Sequence, residues 1–225
     1  MQRRSYGALK IMSGSLIFRK LGCQPYESTW SEMKRFTDLR TLATPDELWL
    51  LEHPPVYTLG QAGKETHILD AGDIDVVRCD RGGQVTYHGP GQLVGYLMMD
   101  IGRQHIGIKE LVCQIEKALV AVLAHGGIEA YANPDAHGVY VAEKKIAALG
   151  LRVRKGRTYH GFSLNVDMDL EPFSRINPCG YAGLEVTDMV SEGADFSVDE
   201  LEDIVAYELA QAFEYTTDDK QRLVI

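Results

Sequence analysis

Long hydrophobic runs are missing from the sequence. A stretch such as Ala118 to Ala124 is far shorter than the ~20 residues of a membrane helix, and no apolar segment follows the basic N-terminal residues as a secretory signal requires. Internal repeats and Pro/Ser-rich linkers are missing as well. These absences argue against a membrane-spanning protein and predict one cytoplasmic domain over residues 12–225, preceded by a loose arm at residues 1–11.

Cysteine is scarce, and its spacing excludes the usual structural uses. None of the four cysteines forms a CxxC or CxxxH pair, so neither a zinc site nor a disulfide framework is predicted. We expect free thiols and no bound metal. The cysteines are Cys23, Cys79, Cys113 and Cys179.

Positive charge is in deficit, because 23 Lys and Arg residues face 32 Asp and Glu residues, for a net charge of −9. This balance argues against a protein that coats nucleic acid, which needs many clustered basic residues. The segment from Lys144 to Arg157 departs from this acidic balance, because it has six basic residues and no acidic residue. This basic segment is either a solvated hairpin face or a patch that acts in local electrostatic steering.

Three segments have the apolar spacing of amphipathic helices. They are Tyr26 to Leu39, Ile108 to Ala124 and the stretch that begins at Leu201. The third follows Ser197-Val198-Asp199-Glu200, a capping box in which the Ser and Glu side chains each accept from the other residue's backbone N–H. The apolar faces predict three helices packed on a core.

Strand patterns fill most of the remaining chain, and few helices lie between them. This order favours an α/β (α+β) fold, with a mixed, largely antiparallel sheet flanked by helices, over a doubly wound parallel sheet. Short connections at Glu143-Lys144 and Lys155-Gly156-Arg157 join the last three strands into a meander. The predicted strands are Glu47 to Glu52, Val56 to Leu59, Val76 to Arg78, Val85 to Tyr87, Leu93 to Asp100, Gly138 to Val141, Ile146 to Arg154 and Thr158 to Val166.

Lys145 is notable for its register in the meander. Leu149, Leu151 and Val153 alternate onto one strand face, and Lys145 has the parity of that face. A lysine turned toward a core or cleft is desolvated, which lowers its pKa toward the range of a base. The alternative is that Lys145 lies in the turn, where alternation has not begun.

A glycine-rich run extends from Arg81 to Gln92 and lets the backbone approach a ligand closely. It matches neither GxGxxG nor GxxxxGK[ST], so a nucleotide loop is not predicted. Two turns flanking a short strand would also explain the Gly and Pro residues. That alternative leaves Arg81, Thr86 and His88 unexplained.

Cys179 lies in the loop Asn177-Pro178-Cys179-Gly180-Tyr181. A cysteine in a Pro/Gly loop is sterically accessible, whereas we expect Cys113, on a patterned helix, to be inaccessible. Cys179 is therefore the candidate nucleophile. The alternative use of a lone cysteine is as a small buried hydrophobe.

The candidate segments described above occur along the chain in an order that is characteristic of one protein family. The motifs are the run Arg81 to Gln92, Lys144-Lys145-Ile146 with Ala148-Leu149-Gly150, His160 to Asn165, and Asn177-Pro178-Cys179-Gly180. Together they resemble the octanoyltransferases of lipoate biosynthesis, also called lipoate-protein ligase B. Weaker similarity extends upstream from Glu52 to Lys64. The resemblance implies a biotin/lipoate protein ligase-like fold.

The resemblance also implies acyl transfer in two displacements, as the first step of endogenous protein lipoylation. An octanoyl or lipoyl group would pass from a thioester to the Cys179 thiol, which Lys145 activates as general base, and then to a lysine of a lipoyl domain. A neutral buried amine suits both proton transfers. The residues implied to bind the substrate are Arg81, Gly82, Gly83, Gln84, Val85, Thr86, Tyr87, His88, Ala148, Leu149, Gly150, Gly161, Phe162 and Ser163.

The implied partners are acyl carrier protein, whose phosphopantetheine delivers the acyl group, and the lipoyl domains of 2-oxoacid dehydrogenase complexes and the glycine cleavage H protein. No cofactor is expected, neither ATP nor a metal, because a thioester is already activated. Partners of nucleic acid or membrane are not expected. The basic segment would dock the acidic carrier through Arg152, Arg154, Lys155 and Arg157.

Three other functions remain open on the residues alone. An ATP-dependent lipoate or biotin ligase would share the fold but need no nucleophilic cysteine. A cysteine hydrolase would pair Cys179 with His160 or His88. An acyl-binding or carrier-docking protein would bind the same ligand without turnover.

Overall fold

The computed structural model of the protein describes residues 16–215. The predicted arm at residues 1–11 lies outside these residues. Within them, a seven-stranded sheet has the order β1-β2-β6-β10-β9-β8-β7, and a three-stranded sheet has the order β4-β3-β5. Among the strands of the described residues, only β1 with β2 and β3 with β4 pair in parallel. The mixed, largely antiparallel fold predicted from the sequence is therefore confirmed.

The sheets and helices follow one another along the described chain, with single helical turns between some of them. The strands are β1 (Leu16–Cys23), β2 (Asp46–Glu52), β3 (Val56–Leu59), β4 (Val76–Arg78), β5 (Val85–His88), β6 (Gln92–Met98), β7 (Tyr131–Ala132), β8 (Val139–Val141), β9 (Lys144–Arg154) and β10 (Arg157–Asn165). The helices are α1 (Tyr26–Leu39), the single turn α2 (Ile101–Gln104), α3 (Ile108–His125) and α4 (Val198–Ala212), and 3₁₀ turns span Glu65–His67, Glu171–Arg175 and Pro178–Gly180.

The three predicted helices are all present. The capping box before α4 has both of its bonds, because the Ser197 hydroxyl accepts from the Glu200 N–H and the Glu200 carboxylate accepts from the Ser197 N–H at 2.9 Å. Such a cap contributes about 1 kcal/mol to the helix. Periodicity and cap chemistry thus act together in fixing where α4 begins.

The predicted strands are also present, with ends displaced by no more than two residues, and the sequence patterns did not predict two further strands. β1 pairs in parallel with β2 at the end of the sheet, and β7 is a two-residue strand at the other end. β1 carries Arg19 and Lys20 in its middle and is only partly buried. Its apolar pattern is therefore weaker than that of the central strands.

The first turn of the meander lies one residue earlier than predicted. Ala142 and Glu143 occupy it with φ of 44° and 76°, so Lys144 already belongs to β9. Lys155 and Gly156 form the second turn, also with positive φ, and Arg157 begins β10. Two central residues with φ > 0 make the tight turn whose twist matches that of the flanking strands.

Alternation along the strands of the large sheet separates two cores. Leu48 and Leu50 of β2 pack with the apolar stripes of α3 and α4, while Trp49 and Leu51 face α1 on the opposite side. Each fully buried Leu contributes about 1.5–3 kcal/mol relative to exposure. The small sheet has its own cluster around Tyr57. Helices thus cover both faces of the large sheet, except for one part that the small sheet covers.

Among residues 16–215, no helix combines the length and the apolar character that crossing a membrane demands.

Candidate active site

A cavity of about 310 Å³ opens between the large sheet and the loop before β5. β8 pairs with β9 only as far as Ala147, so the rest of that edge of β9 lies free of β8. The loop approaches this edge, where the Gly82 N–H donates to the Leu151 carbonyl at 3.0 Å. The volume is at the lower end of the range for small-molecule sites, about 300–1,000 Å³.

Small residues of β9 and β10 make room for the cavity. Ala148 pairs with Ser163 and Gly150 with Gly161, and all four line it. A Cβ on Gly161 would lie 2.0 Å from the carbonyl oxygen of Gly95, so no larger residue fits without moving β6. Apolar walls come from Leu149, Phe162 and Val112. The cavity therefore suits a small apolar group.

Arg81 holds the glycine-rich loop in shape from inside. It is 7% exposed and donates to the Thr58 and Gln84 carbonyls at 2.6 and 2.8 Å and to the Gly82 carbonyl at 2.9 Å. Within residues 16–215 no carboxylate forms an ion pair with it. Its positive charge therefore adds to the field at the cavity that it lines.

His88 is engaged at both ring nitrogens. The amide nitrogen of Gln92 donates to the Tyr87 carbonyl, so the amide oxygen of Gln92 is the atom that accepts from His88 Nδ1, at 2.7 Å. The Thr58 hydroxyl lies 3.3 Å from His88 Nε2. Burial, together with neighbouring His53, lowers the pKa of His88 to about 3. A neutral imidazole with both nitrogens bonded is a poor base, which argues against the hydrolase that pairs Cys179 with His88.

The side chain of Tyr87 points elsewhere. β5 alternates, so Thr86 and His88 face the cavity while Tyr87 packs against Tyr57 and Phe173 in the cluster of the small sheet. Among the residues that the resemblance implied to bind substrate, Tyr87 alone does not line the cavity. Its hydroxyl-bearing ring supports β5 instead.

Lys145 lies within β9 and is only 4% exposed. Its Nζ donates to the His137 carbonyl at 3.1 Å and lies 5.2 Å from the centre of the Tyr140 ring. The extra residue of a β-bulge follows it, since Tyr140 pairs with Lys145 but Val139 with Ala147. The amine nitrogen is thus held at the wall of the cavity, and the alternative of a turn position does not apply.

The segment that carries Cys179 forms a 3₁₀ turn over Pro178–Gly180. A Cβ on Gly180 would lie 3.3 Å from the side chain of Gln84, and Gly180 has a φ of 80°. Pro178 lines a small crevice together with Lys145 and Thr86. The backbone of this turn therefore lies between the glycine-rich loop and the lysine of β9.

Asp80 and His160 form a junction that the sequence did not reveal. The Asp80 carboxylate accepts from Trp30 Nε1 at 2.8 Å, from His160 Nε2 at 2.9 Å and from the Tyr159 hydroxyl. Burial alone would raise the pKa of Asp80, but these three donors outweigh it and hold the pKa well below its usual range. The carboxylate thereby ties α1 and β10 to the loop before Arg81.

His160 has an unusual conformation within β10. His160 is paired within β10, but its φ is 59°, in the left-handed region. This backbone conformation turns its ring toward Asp80 and the cavity. Burial lowers the pKa of His160 although Asp80 opposes the change. Nδ1 of this buried ring has no hydrogen-bond partner among the described residues. With Nε2 donating to Asp80, Nδ1 is an acceptor.

The buried histidines predict acid sensitivity of the fold. Burial lowers the pKa of His53 to about 4, and that of His88 to about 3, so below pH ~6.5 the unfolded chain binds protons that the folded chain does not. We expect the free energy of unfolding to fall with falling pH by about 1.4 kcal/mol per pH unit for each histidine down to about pH 4. Urea unfolding at several pH values measures this slope.

The His53→Gln variant isolates one histidine, with the wild type as its control. Its slope between about pH 6.5 and 4 should be shallower by roughly 1.4 kcal/mol per pH unit. Equal slopes for the two proteins would show that His53 titrates alike in the folded and unfolded states.

The other thiols provide internal comparisons. Cys79 is buried, whereas Cys23 and Cys113 are exposed. The expectation that Cys113 is inaccessible was therefore wrong, because it lies on the solvent side of α3 rather than in its apolar stripe. No group of three or more His, Cys, Asp or Glu residues in the described chain is arranged to hold a metal.

Sequence comparison places the chain in a known family. The family model of the lipoyl protein ligase A/B catalytic domain matches residues 25–210. An octanoyltransferase of Azotobacter vinelandii is 61% identical over 178 residues, which cover 79% of this chain and 82% of the relative. One of Pseudomonas entomophila is 55% identical over 204 residues, 91% of this chain and 95% of the relative.

Solved structures share the fold at low identity. A bipartite lipoate protein ligase from Thermoplasma acidophilum superposes with a TM-score of 0.74 at 19% identity, covering 95% of this chain and 88% of that chain. A biotin protein ligase from Aquifex aeolicus superposes with a TM-score of 0.52 at 12% identity, covering 90% and 70%. The chain therefore has the architecture of these ligases, and by sequence it belongs to the octanoyltransferases of the lipoyl protein ligase A/B family.

Proposed function

We propose that this chain moves an octanoyl group from the thioester of acyl carrier protein to Cys179 and then to a lysine of a lipoyl domain. One observation carries the proposal: the turn of Cys179 shares a small crevice with the buried Lys145, and Lys145 also lines the apolar cavity. A nucleophile, a base and an acyl site together are what acyl transfer needs.

Each displacement exchanges one acyl bond for another. In the first, Lys145 accepts the thiol proton, the Cys179 sulfur attacks the thioester carbonyl, and the carrier's thiol leaves with that proton. In the second, the lipoyl-domain amine attacks the new thioester, and its proton passes through Lys145 to the Cys179 sulfur. The C–S bond breaks as the amide forms, which restores the Cys179 thiol and the free base. The thioester supplies the driving force, so the reaction requires neither ATP nor a metal.

The proposed partners are acyl carrier protein and the lipoyl domains of 2-oxoacid dehydrogenase complexes and the glycine cleavage H protein. A cytoplasmic location is proposed with them. The absence of disulfides among Cys23, Cys79 and Cys113 is consistent with a reducing compartment.

The direct test is intact-protein mass spectrometry after mixing the protein with octanoyl acyl carrier protein and no ATP. We expect one octanoyl adduct, mapped by peptide analysis to Cys179 and discharged when a lipoyl domain is added. Transfer that appears only with ATP would favour the ligase. Release of free octanoate would favour the hydrolase, and binding without an adduct would favour a carrier-docking protein.

The basic segment gives a testable docking surface for the acidic carrier. Arg152 donates to Gln61, and Arg154 pairs with Asp38 at 3.1 Å while its side chain stays 49% exposed. Lys155 is exposed at the tip of the hairpin. These cations surround the open end of β9 and would attract an acidic surface.

We expect Arg154→Glu/Lys155→Glu to raise the KM for octanoyl acyl carrier protein about fivefold, since exposed charge pairs contribute roughly 0.2–1 kcal/mol each. The kcat should stay unchanged because neither residue lines the cavity. Steady-state kinetics at low and high salt measure the effect. The matched control is Arg78→Glu/Arg175→Glu on the small sheet and its neighbouring turn, and an equal rise in that control would contradict a specific docking surface.

A further inference from the structure

Glu116 is a buried carboxylate in the apolar stripe of α3. It is 5% exposed, and Ile115 and Leu119 beside it belong to the main core. Acidic residues are almost never fully buried without a partner, because desolvation of the charge is costly. The octanoyl transfer described above does not use Glu116, so its position needs another explanation.

The carboxylate binds the end of the segment that leads into β8. Glu116 Oε1 accepts from the backbone N–H of Gly138 at 2.9 Å and lies 3.3 Å from Nδ1 of His137. The imidazole of His137 is 61% exposed, whereas the bond to Gly138 is buried. The main partner of Glu116 is therefore a backbone amide.

The same peptide group binds Lys145 at its other end. The N–H of Gly138 and the carbonyl of His137 belong to one planar peptide unit, in which they point in opposite directions. Glu116 accepts from the N–H, and the carbonyl accepts from Lys145 Nζ at 3.1 Å. One peptide unit thus joins the carboxylate of α3 to the side-chain nitrogen of Lys145 in β9.

Gly138 leaves the space that this arrangement requires. Its φ is 141°, and a Cβ there would lie 3.0 Å from Cε and 3.2 Å from Nζ of Lys145. The lysine side chain therefore runs directly along the His137–Gly138 backbone. Any rotation of that peptide unit would move the acceptor away from Nζ.

We propose that Glu116 is a positioning residue that holds Lys145 in its reactive place through the His137–Gly138 peptide group. The bond from a backbone N–H to a carboxylate is charge-assisted and polarises the peptide, which strengthens the acceptor on the opposite side. This inference rests on the role of Lys145 in the proposed function. It assigns Glu116 no contact with substrate.

The test compares three variants of Glu116 with a control on another helix. Glu116→Leu keeps the volume but removes the acceptor, Glu116→Gln keeps an acceptor without the charge, and Glu116→Asp keeps the charge on a shorter stem. The control is Glu202→Leu on α4, because Glu202 is also 5% exposed and lies 3.3 Å from Lys20 in an ion pair. The rate and KM of Cys179 acylation by octanoyl acyl carrier protein are measured by mass spectrometry, together with thermal unfolding.

We expect Glu116→Leu to slow acylation about 10- to 100-fold with KM within about twofold, as for a catalytic group displaced by about 1 Å. Glu116→Gln should recover most of the rate, and Glu202→Leu should acylate at the wild-type rate whatever its stability. If Glu116→Leu does not fold, Glu116→Asp carries the test, with a reduced rate at unchanged KM.

Three results would overturn the inference alone. The first is acylation at the wild-type rate in Glu116→Leu or, if that variant does not fold, in Glu116→Asp. The second is a loss of rate in Glu116→Leu that Glu202→Leu equals. The third is failure of Glu116→Gln to recover any rate. If the wild-type protein forms no adduct, the proposed function fails and this inference fails with it. Adduct formation by the wild-type protein therefore distinguishes failure of this inference from failure of the proposed function.

Discussion

The Cys179→Ala variant should form no octanoyl adduct and should transfer octanoate to a lipoyl domain roughly 10³-fold more slowly or worse, because loss of a covalent nucleophile removes the reaction path. The amine of the acceptor lysine would then have to attack the carrier thioester directly. Intact mass and transfer kinetics are both measured, without ATP.

Cys113→Ala is the control for this prediction. Cys113 is an exposed thiol on α3, so a reactive thioester could label it non-specifically. We expect the adduct and the transfer rate of this variant to match the wild type. An adduct that disappears with Cys113 and persists in Cys179→Ala would place the nucleophile elsewhere.

Lys145→Met should lower the rate of acylation by about 10²–10⁴-fold, the usual contribution of a positioned acid or base. Methionine has a similar length and can fill the buried space beside Tyr140, but it cannot donate to the His137 carbonyl or accept a proton. An unassisted thiol has a pKa near ~8.5. The variant should therefore recover part of its rate as pH rises toward about 9.

Lys144→Met isolates the effect of position from that of charge. Lys144 precedes Lys145 in β9, but its side chain is 44% exposed and lies 3.9 Å from Glu192. Kinetics of this variant should be unchanged. A wild-type rate in Lys145→Met, or an equal loss in both variants, would show that Lys145 does not act as the base.

Periodicity and turn chemistry carried most of the fold prediction. The stripe of α3 and the capping box of α4 are local signals, and the structure contains both helices. The first turn of the meander was placed one residue late because Ala142 and Glu143 occupy the left-handed region. Neither residue type favours that region, so tertiary pairing of β8 with β9 decides the turn.

The site was less predictable than the fold. Strand parity alone made Lys145 a candidate, but its alternative position in the turn could be rejected only from the structure. The roles proposed for Cys179 and Lys145 rest on the resemblance of their motifs. Tyr87 illustrates the limit of transferring a whole motif, since alternation in β5 turns its ring away from the cavity.

The roles of Asp80 and Glu116 were not predicted from the sequence, and the reasons differ. Asp80 acts through Trp30, Tyr159 and His160, and no local pattern shows that these distant residues meet. Glu116 did carry a signal, because it has the helical spacing of Leu119 and is buried with it. An acid within an apolar stripe is a reason to look for a buried partner.

The proposed reaction centre is assembled from parts of the chain that are remote in sequence. Lys145 comes from β9, Cys179 from the turn after β10, and the loop of Arg81 from the other sheet. Pairings of such long sequence separation form late, after the entropy of closing the intervening loops has been overcome. Recovery of acylation during refolding would therefore report completion of the native topology, whereas helix content would recover earlier.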